Sequence, residues 1–118
     1  MSYNMKNTRI SNQNGSPIEQ VFLANTPWLR LRGLLGRKTL TNEQGLLISP
    51  CNSVHTVGMK YSLDIVYLNS DNKVLKIKSN LKPWRSSACR GATQVLELAA
   101  GNTENKNIKL GDTLSWQN

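Results

Sequence analysis

The sequence predicts a mostly β fold, either a β-sandwich or a partly open barrel, on the basis of three observations. Apolar residues recur in short runs of about four to eight residues, the usual length of strands. Clusters of Asn, Gly, Ser and Asp separate these runs and are typical of turns. One pair, Asn14-Gly15, tolerates the positive φ angles of a tight hairpin turn. We expect a flexible tail over residues 1–7 and a single compact β domain over residues 8–118.

Seven segments are expected to form strands. Asn14-Gly15 would join the first two in a hairpin, and Ser70-Asp71-Asn72 has the turn chemistry to join the fourth and fifth. The sixth segment, residues 94–99, is also compatible with a helix, because six residues are too few to show whether its apolar residues recur with the period of a strand or of a helix. In chain order, the expected strands are 8–11, 18–24, 45–49, 62–69, 73–78, 94–99 and a last one through Leu114 and Trp116.

One short helix is expected in the N-terminal half of the chain. Thr26 can cap it, Pro27 suits its first position and Gly36 can end it. Its apolar stripe would consist of Trp28, Leu31, Leu34 and Leu35. One further helical turn is expected near residues 103–107.

The charge of the chain is consistent with an anionic partner. The 118 residues carry a formal net charge of +8, from 15 Lys and Arg against 7 Asp and Glu. Such an excess supports solubility, and it also suits an acidic protein segment, an anionic small molecule or nucleic acid. The aromatic content of 6% is thin for a base-stacking platform, so a nucleic-acid-binding β domain is an alternative that depends on the region from Lys73 to Arg90.

Targeting and cofactor signals are missing from the sequence. Because no signal-peptide core and no membrane-length apolar stretch occurs, we expect a soluble, cytoplasmic protein with no membrane partner. In a reducing compartment Cys51 and Cys89 should be free thiols, whereas export would favour one bridge between them. Neither a phosphate loop nor another cofactor motif is present, so no cofactor is predicted.

The window from residue 50 to 69 concentrates the chemically active residue types. It holds Cys51, the only histidine (His55), Met59 and Asp64. One interpretation is a metal site with Cys51, His55 and Cys89 as ligands and Asp64 or water as the fourth. An extended strand from Cys51 to His55 would separate these two residues by about 13 Å, too far to share one ion.

Two other interpretations of the same residues stay open. In the first, Cys89 is a nucleophile, His55 is its base and Asp64 orients the histidine, while the adjacent Arg90 lowers the thiol pKa. In the second, these residues are structural, because cysteine is often a small buried residue and a buried Asp64 needs hydrogen-bond partners. Arg30, Arg32 or backbone amides could supply those partners. An enzyme using Cys89, His55 and Asp64 therefore remains an alternative to a binding module.

A connection without periodicity over residues 79–93 is the other candidate for function, because long irregular connections are often functional or mobile. Basic groups around an exposed aromatic side chain can hold an anion. Alternatively, Trp84 would anchor the connection by packing into the core. We predict a ligand-binding edge in which this loop lies beside residues 51–59. Its residues would be Cys51, His55, Met59, Lys82, Trp84, Arg85 and Arg90.

The chain order also resembles the bacterial family called domain of unknown function 192, from about Ile18 to Trp116. That resemblance implies a β-sandwich or partly open barrel with a short helix near its start, and it implies no established activity. The residues that carry it are Arg32–Arg37, Gly45–Ile48, Met59 followed by Leu63–Leu68, Val95–Gly101 and Ile108–Asp112.

The chain departs from the common pattern of that family around its methionine. The family pattern places an aromatic residue, usually Trp, directly before the methionine, whereas Gly58 precedes Met59 here. Only residues 60–62 separate Met59 from the following Leu-Asp pair, a shorter run than in the family. The sequence therefore lacks the residue for a pocket built on that aromatic ring, and Cys51 and His55 are expected to mark a distinct branch.

Overall fold

The computed structural model describes residues 6–26 and 39–117, and in these the fold is mostly β. A curled, half-barrel sheet and one short helix confirm the predicted fold class. The helix predicted from Thr26 to Gly36 falls almost entirely outside the described residues. The strands are β1 (Asn7–Asn12), β2 (Ile18–Ala24), β3 (Gln44–Ile48), β4 (Ser53–His55), β5 (Leu63–Leu68), β6 (Val74–Leu81), β7 (Ser86–Ala88), β8 (Gln94–Ala99) and β9 (Leu114–Ser115), and the helix is α1 (Asn102–Asn105).

Seven of these strands form one sheet, in the order β6-β5-β8-β3-β2-β1-β9. Both predicted hairpins are confirmed, since β1 pairs antiparallel with β2 and β5 pairs antiparallel with β6. The segment 94–99 is a strand because it lies in the middle of the sheet, hydrogen-bonded to β3 on one side and β5 on the other. The pair β2–β3 is parallel, unlike the other pairs of this sheet.

The first hairpin depends on Gly15 for a reason other than the predicted one, because neither Asn14 nor Gly15 adopts a positive φ angle. The backbone N–H of Gly15 donates a hydrogen bond to the carbonyl of Asn12 at 3.1 Å and closes the turn. A Cβ atom at this position would overlap the carbonyl oxygen of Lys106, just after α1. Glycine therefore allows the turn to pack directly on the backbone that follows the helix.

The two faces of the sheet are covered by different apolar clusters. Along β5 the side chains alternate, so that Leu63, Ile65 and Tyr67 face one cluster while Val66 and Leu68 face the other. The ribbon-side core, named for the β4–β7 pair that contributes to it, includes Val54, Met59, Leu63, Ile65, Tyr67, Leu81 and Val95. The opposite core includes Ile10, Val21, Leu47, Val66, Leu68, Leu96, Leu98 and Leu114.

The connection predicted to be irregular over residues 79–93 is more ordered than expected. Strand β6 extends to Leu81, and β7 (Ser86–Ala88) forms in the middle of the connection. β7 pairs antiparallel with β4 (Ser53–His55) in a separate two-stranded ribbon. The prediction was wrong because a three-residue strand carries too little pattern to be detected without its distant partner.

Candidate functional site

The β4–β7 ribbon brings the two predicted halves of the site together. In its register Ser53 lies opposite Ala88 and His55 lies opposite Ser86. The loop that follows His55 therefore lies beside the loop that precedes Ser86. We call this end of the ribbon, comprising residues 55–57 and 82–85, the ribbon tip.

Thr56 is the centre of the ribbon tip. Its side chain is buried, with 1% of the residue exposed. The hydroxyl donates to the carbonyl of Lys82 at 2.6 Å and accepts the backbone N–H of Arg85 at 2.9 Å. The backbone of Thr56 also donates to the carbonyl of Arg85 at 2.8 Å and accepts the N–H of Trp84 at 3.0 Å. These hydrogen bonds fix the path of the second loop against the first.

Trp84 lies at the surface, so the interpretation that it anchors the loop in the core is wrong. Its exposed fraction is 63%, and that of Val57 is 50%. The N–H of Trp84 bonds to the carbonyl of Thr56, which precedes Val57, so both exposed side chains come from adjacent backbone. Trp84 also has a left-handed backbone with φ of 62°, which is uncommon for a bulky residue. The Thr56 hydrogen bonds hold this conformation.

The surface around Trp84 is basic. His55, Lys82 and Arg85 are exposed at the ribbon tip, and Arg90 is exposed at the base of the ribbon. From Asp71 to Glu97 the intervening sequence has six Lys or Arg residues and no acidic residue. Within the described residues, the ion pairs Arg9–Glu19 and Lys106–Glu43 involve none of these basic residues. The positive charge of Lys82, Arg85 and Arg90 is therefore not neutralised by either of these ion pairs.

The base of the ribbon carries both cysteines above a buried tyrosine. Cys51 and Cys89 are half-buried free thiols that pack against the ribbon-side core. Beneath them, the hydroxyls of Tyr67 and Ser87 are buried without a geometrically satisfactory hydrogen bond in the described part of the chain. Burial raises the pKa of Tyr67, the nearby Ser87 hydroxyl lowers it, and negative charge on Cys51, Cys89 or Glu97 raises it further.

Glu97 is a carboxyl group inside the sheet. It lies directly opposite Ile65, and therefore on the ribbon-side face, with 7% of the residue exposed. Burial in this apolar setting raises the pKa of Glu97 to about 7, because the charged form loses its hydration. The side chain is thus poised to change its protonation near neutral pH.

The structure does not bring together the residues of the enzyme interpretation. His55 lies opposite Ser86 in the ribbon, whereas the N–H of Cys89 donates to the carbonyl of Asn52. Cys89 is therefore three residues farther along the ribbon than the position opposite His55. Three strand residues span about 10 Å, which is beyond hydrogen-bond reach. Asp64 lies opposite Leu98 and therefore faces the opposite core. This arrangement gives no support to a Cys89–His55–Asp64 triad.

Asp64 has hydrogen-bond partners that explain its burial. One carboxylate oxygen accepts the backbone N–H of Asn80 at 2.9 Å. The other accepts the backbone N–H of Thr103 at 3.0 Å and its hydroxyl at 2.7 Å. Backbone amides thus satisfy much of the carboxylate, as the structural interpretation predicted. Asp64 ties the end of β6 to α1 across the sheet.

Two further predicted site residues differ from expectation. Met59 is 9% exposed and belongs to the ribbon-side core, so its thioether is buried instead of lying at the surface. The thiol of Cys51 donates to the carbonyl of Ser53 at 3.0 Å, at the far end of the ribbon from Trp84. Across residues 6–26 and 39–117, no three His, Cys, Asp or Glu side chains are grouped as metal ligands, so Cys51, His55 and Cys89 are not one ligand set.

Sequence reasoning missed Thr56, Tyr67 and Glu97. Glu97 could have been noticed, because a single acidic residue interrupts the apolar run from Val95 to Leu98. The role of Thr56 leaves no local signal, since its partners are 26 and 29 residues away along the chain.

Comparison with known sequences finds similarity to uncharacterised proteins. The family model DUF192 (Uncharacterized ACR, COG1430) matches residues 8–116. A UPF0127 protein of Thermococcus sibiricus is 29% identical over 104 residues, covering 83% of this chain and 66% of that protein. Another, from Pyrococcus furiosus, is 35% identical over 65 residues, covering 54% of this chain and 55% of that protein. The chain thus spans less than two thirds of the length of both archaeal proteins.

Two solved structures share the fold. A protein of unknown function from Novosphingobium aromaticivorans has a TM-score of 0.81 at 25% identity, covering 95% of this chain and 85% of that chain. A Sinorhizobium meliloti protein, for which a role as a transcription regulator has been suggested, has a TM-score of 0.83 at 25% identity, covering 98% and 96%. In the part of the chain that the structure describes, no helix is long and apolar enough to cross a bilayer.

Proposed function

The chain belongs to the DUF192 family, whose name denotes a domain of unknown function, and from its own residues we propose a binding module that recognises an acidic protein segment. The ribbon tip is the surface that would bind this segment. Lys82 and Arg85 would supply positive charge there, Trp84 would supply apolar contact area, and His55 would supply a directional hydrogen bond. Arg90, farther along the ribbon, would extend the basic surface.

The observation that carries the proposal is the exposure of Trp84 in a constrained backbone. A bulky residue in the left-handed region costs about 1–3 kcal/mol, and such strain tends to occur at functional sites. Burial of the indole ring in the core would be the usual compensation, but 63% of this residue is exposed. The buried hydrogen bonds of Thr56 instead hold the residue outward. An exposed, positioned tryptophan is a typical anchor of a binding surface.

Charge indicates the kind of partner. The basic side chains of the segment between Asp71 and Glu97 have no neutralising carboxylate within it. A field of one sign increases the association rate of an oppositely charged partner. The apolar pair of Val57 and Trp84 at the same tip favours a partner that adds an apolar side chain to its negative charge. An acidic protein segment with an exposed aliphatic residue meets both requirements.

Nucleic acid is the alternative partner, and one comparison favours it. A structural neighbour from Sinorhizobium meliloti carries a suggested role as a transcription regulator. Single-strand binding proteins, however, use successive aromatic residues to stack successive bases. Among the described residues, Trp84 is the one large aromatic side chain that is strongly exposed. We therefore favour the protein segment and make nucleic acid an outcome of the test.

The experiment compares three probes at one ionic strength: a fluorescent peptide of alternating Glu and Leu, a single-stranded oligothymidylate, and inorganic phosphate. Trp84→Ala and Arg85→Ala should each weaken binding of the peptide about tenfold, the effect of losing roughly 1.4 kcal/mol. The matched control is the double variant Lys109→Ala, Leu110→Ala, which removes an exposed basic and apolar pair elsewhere. This variant should bind the peptide as the parent does.

Three results would overturn the proposal. In the first, both tip variants bind the peptide as tightly as the parent protein does. In the second, the oligothymidylate binds more tightly than the peptide and loses affinity in the same variants, which would establish nucleic acid as the partner. Phosphate binding equal to peptide binding would reduce the site to an anion site and would also count against a protein partner.

A further inference from the structure

The base of the ribbon places the two cysteines of the chain in neighbouring positions on adjacent segments. The N–H of Cys89 donates to the carbonyl of Asn52 at 2.9 Å, which extends the ladder by one pair beyond Ser53 and Ala88. Cys51 directly precedes Asn52, so it is the diagonal neighbour of Cys89. Consecutive Cα atoms are about 3.8 Å apart and paired Cα atoms of adjacent strands about 5 Å, so the Cα atoms of the two cysteines lie within about 9 Å of each other, a range that includes the roughly 4.4–6.8 Å of a disulfide.

Strand alternation does not keep the two thiols apart. Cys51 lies before the start of β4, and its N–H donates to the carbonyl of Thr93 at 2.9 Å instead of to β7. Both cysteine side chains pack against the ribbon-side core. This shared contact places both side chains on the same face of the main sheet.

We propose that Cys51 and Cys89 are a redox-sensitive pair that a small disulfide, such as glutathione disulfide, oxidises to an intramolecular disulfide. Both thiols are half-buried, so a small reagent can reach them. This inference is independent of the proposed binding function. It adds a covalent state that would join the segment before β4 to the segment after β7.

The exchange is balanced without any further reactant. One cysteine thiolate attacks a sulfur of the small disulfide, breaks its S–S bond and releases one small thiolate. The second cysteine thiolate then attacks the protein sulfur of this mixed disulfide and releases the other small thiolate. Two protein thiols are oxidised and one small disulfide is reduced to two thiols, which take up the two protons.

The protein is tested as purified, after incubation with excess oxidised glutathione and alkylation of the remaining thiols. The oxidised protein should lose the mass of two hydrogen atoms, take up no alkylating reagent and give a proteolytic peptide pair joined through Cys51 and Cys89. Each single variant, Cys51→Ser or Cys89→Ser, should instead retain one glutathione adduct. Oxidation should raise the midpoint of thermal unfolding of the parent protein, because a disulfide reduces the conformational entropy of the unfolded chain. A reductant should reverse this rise.

Four results would overturn the inference. The parent protein could carry two glutathione adducts, it could remain fully alkylated, or it could form disulfide-linked dimers. An unchanged or lowered unfolding midpoint in a correctly linked protein would show that the pair does not close without strain, and it would contradict a native redox pair. None of these measurements requires a binding partner, so failure here leaves the proposed function intact.

Discussion

Thr56 and Arg85 hold one another through two reciprocal hydrogen bonds. The N–H of Thr56 donates to the carbonyl of Arg85 at 2.8 Å, and the N–H of Arg85 donates to the hydroxyl of Thr56 at 2.9 Å. Because the threonine is buried and the arginine is exposed, the pair links the interior of the molecule to its basic surface. The conformation of the ribbon tip therefore depends on a side chain that no ligand would touch.

We expect Thr56→Val to destabilise the protein by about 1–3 kcal/mol, because removing the hydroxyl leaves the carbonyl of Lys82 and the N–H of Arg85 without that partner. Chemical denaturation measures the loss. Thr56→Ser, which keeps the hydroxyl, should recover most of the stability. Equal losses in the two variants would mean that the methyl group, and not the hydrogen bonds, is what the tip requires.

Asp64→Asn tests the structural role of the buried carboxylate. We expect a loss of about 1.5–3 kcal/mol in the free energy of unfolding. In the parent protein the N–H groups of Asn80 and Thr103 each donate to a carboxylate oxygen, whereas in the variant one of them would face the NH₂ group of the asparagine, which cannot accept a hydrogen bond. Asp71→Asn, in the exposed turn between β5 and β6, serves as the control and should cost little. A neutral effect of Asp64→Asn would remove the role assigned to this residue.

Glu97 should make the stability of the protein depend on pH. Burial raises the pKa of Glu97 from its ordinary 4.5 to about 7, so between these values the folded state binds a proton that the unfolded state lacks. Stability linked to this group is therefore fully present below pH 4.5 and is lost as the pH rises through about 7. The complete loss corresponds to about 3 kcal/mol at the usual value per pKa unit.

The measurement compares Glu97→Gln with the parent protein by denaturation across this pH range. Glutamine cannot ionise, so the stability of the variant should not fall with pH as that of the parent does. The difference in the free energy of unfolding, variant minus parent, should therefore increase by about 3 kcal/mol from the acidic to the alkaline end of the pH range. Glu104→Gln, an exposed position in α1, should show no comparable change. Parallel stability profiles for the parent and Glu97→Gln would show that this carboxyl group is not buried in solution.

Gly15→Ala tests the close approach of the first hairpin to the chain after α1. The added Cβ atom would overlap the carbonyl oxygen of Lys106, which is backbone and cannot move aside cheaply. We expect a loss of about 1–3 kcal/mol, measured as a shift in the midpoint of denaturation at constant slope. Ser16→Ala, at the exposed neighbouring position, should be close to neutral. A neutral Gly15→Ala would contradict the packing described here.

Local chemistry made much of the fold predictable. Asn14-Gly15 correctly marks where the chain reverses between β1 and β2, although residues 13–17 join the two strands and neither Asn14 nor Gly15 adopts the positive φ of a tight primed turn. The apolar run of β5 is visible in the sequence, and all six of its residues are buried. The helical turn predicted near residues 103–107 is confirmed by α1 (Asn102–Asn105). In each of these cases the information lies within a few residues of the element.

The site was less predictable, because it depends on pairing across the chain. The three residues of β4 and the three of β7 become strands only by binding to one another. The position of Asp64 on the face opposite to that of Ile65 follows from strand alternation, yet which face carries the ribbon cannot be read from β5 alone. Residue type suggested His55, Asp64 and Cys89 as partners, whereas the register separates them.

The separation of the β4–β7 ribbon from the seven-stranded sheet has a dynamic consequence. The two sheets share no ladder hydrogen bonds, so we expect the ribbon to open at a lower free energy than the main sheet. Its amides should then exchange with solvent deuterium at a free energy below that of global unfolding, unlike the amides of β5 and β8. Local opening of the ribbon would then leave the hydrogen bonds of the main sheet intact.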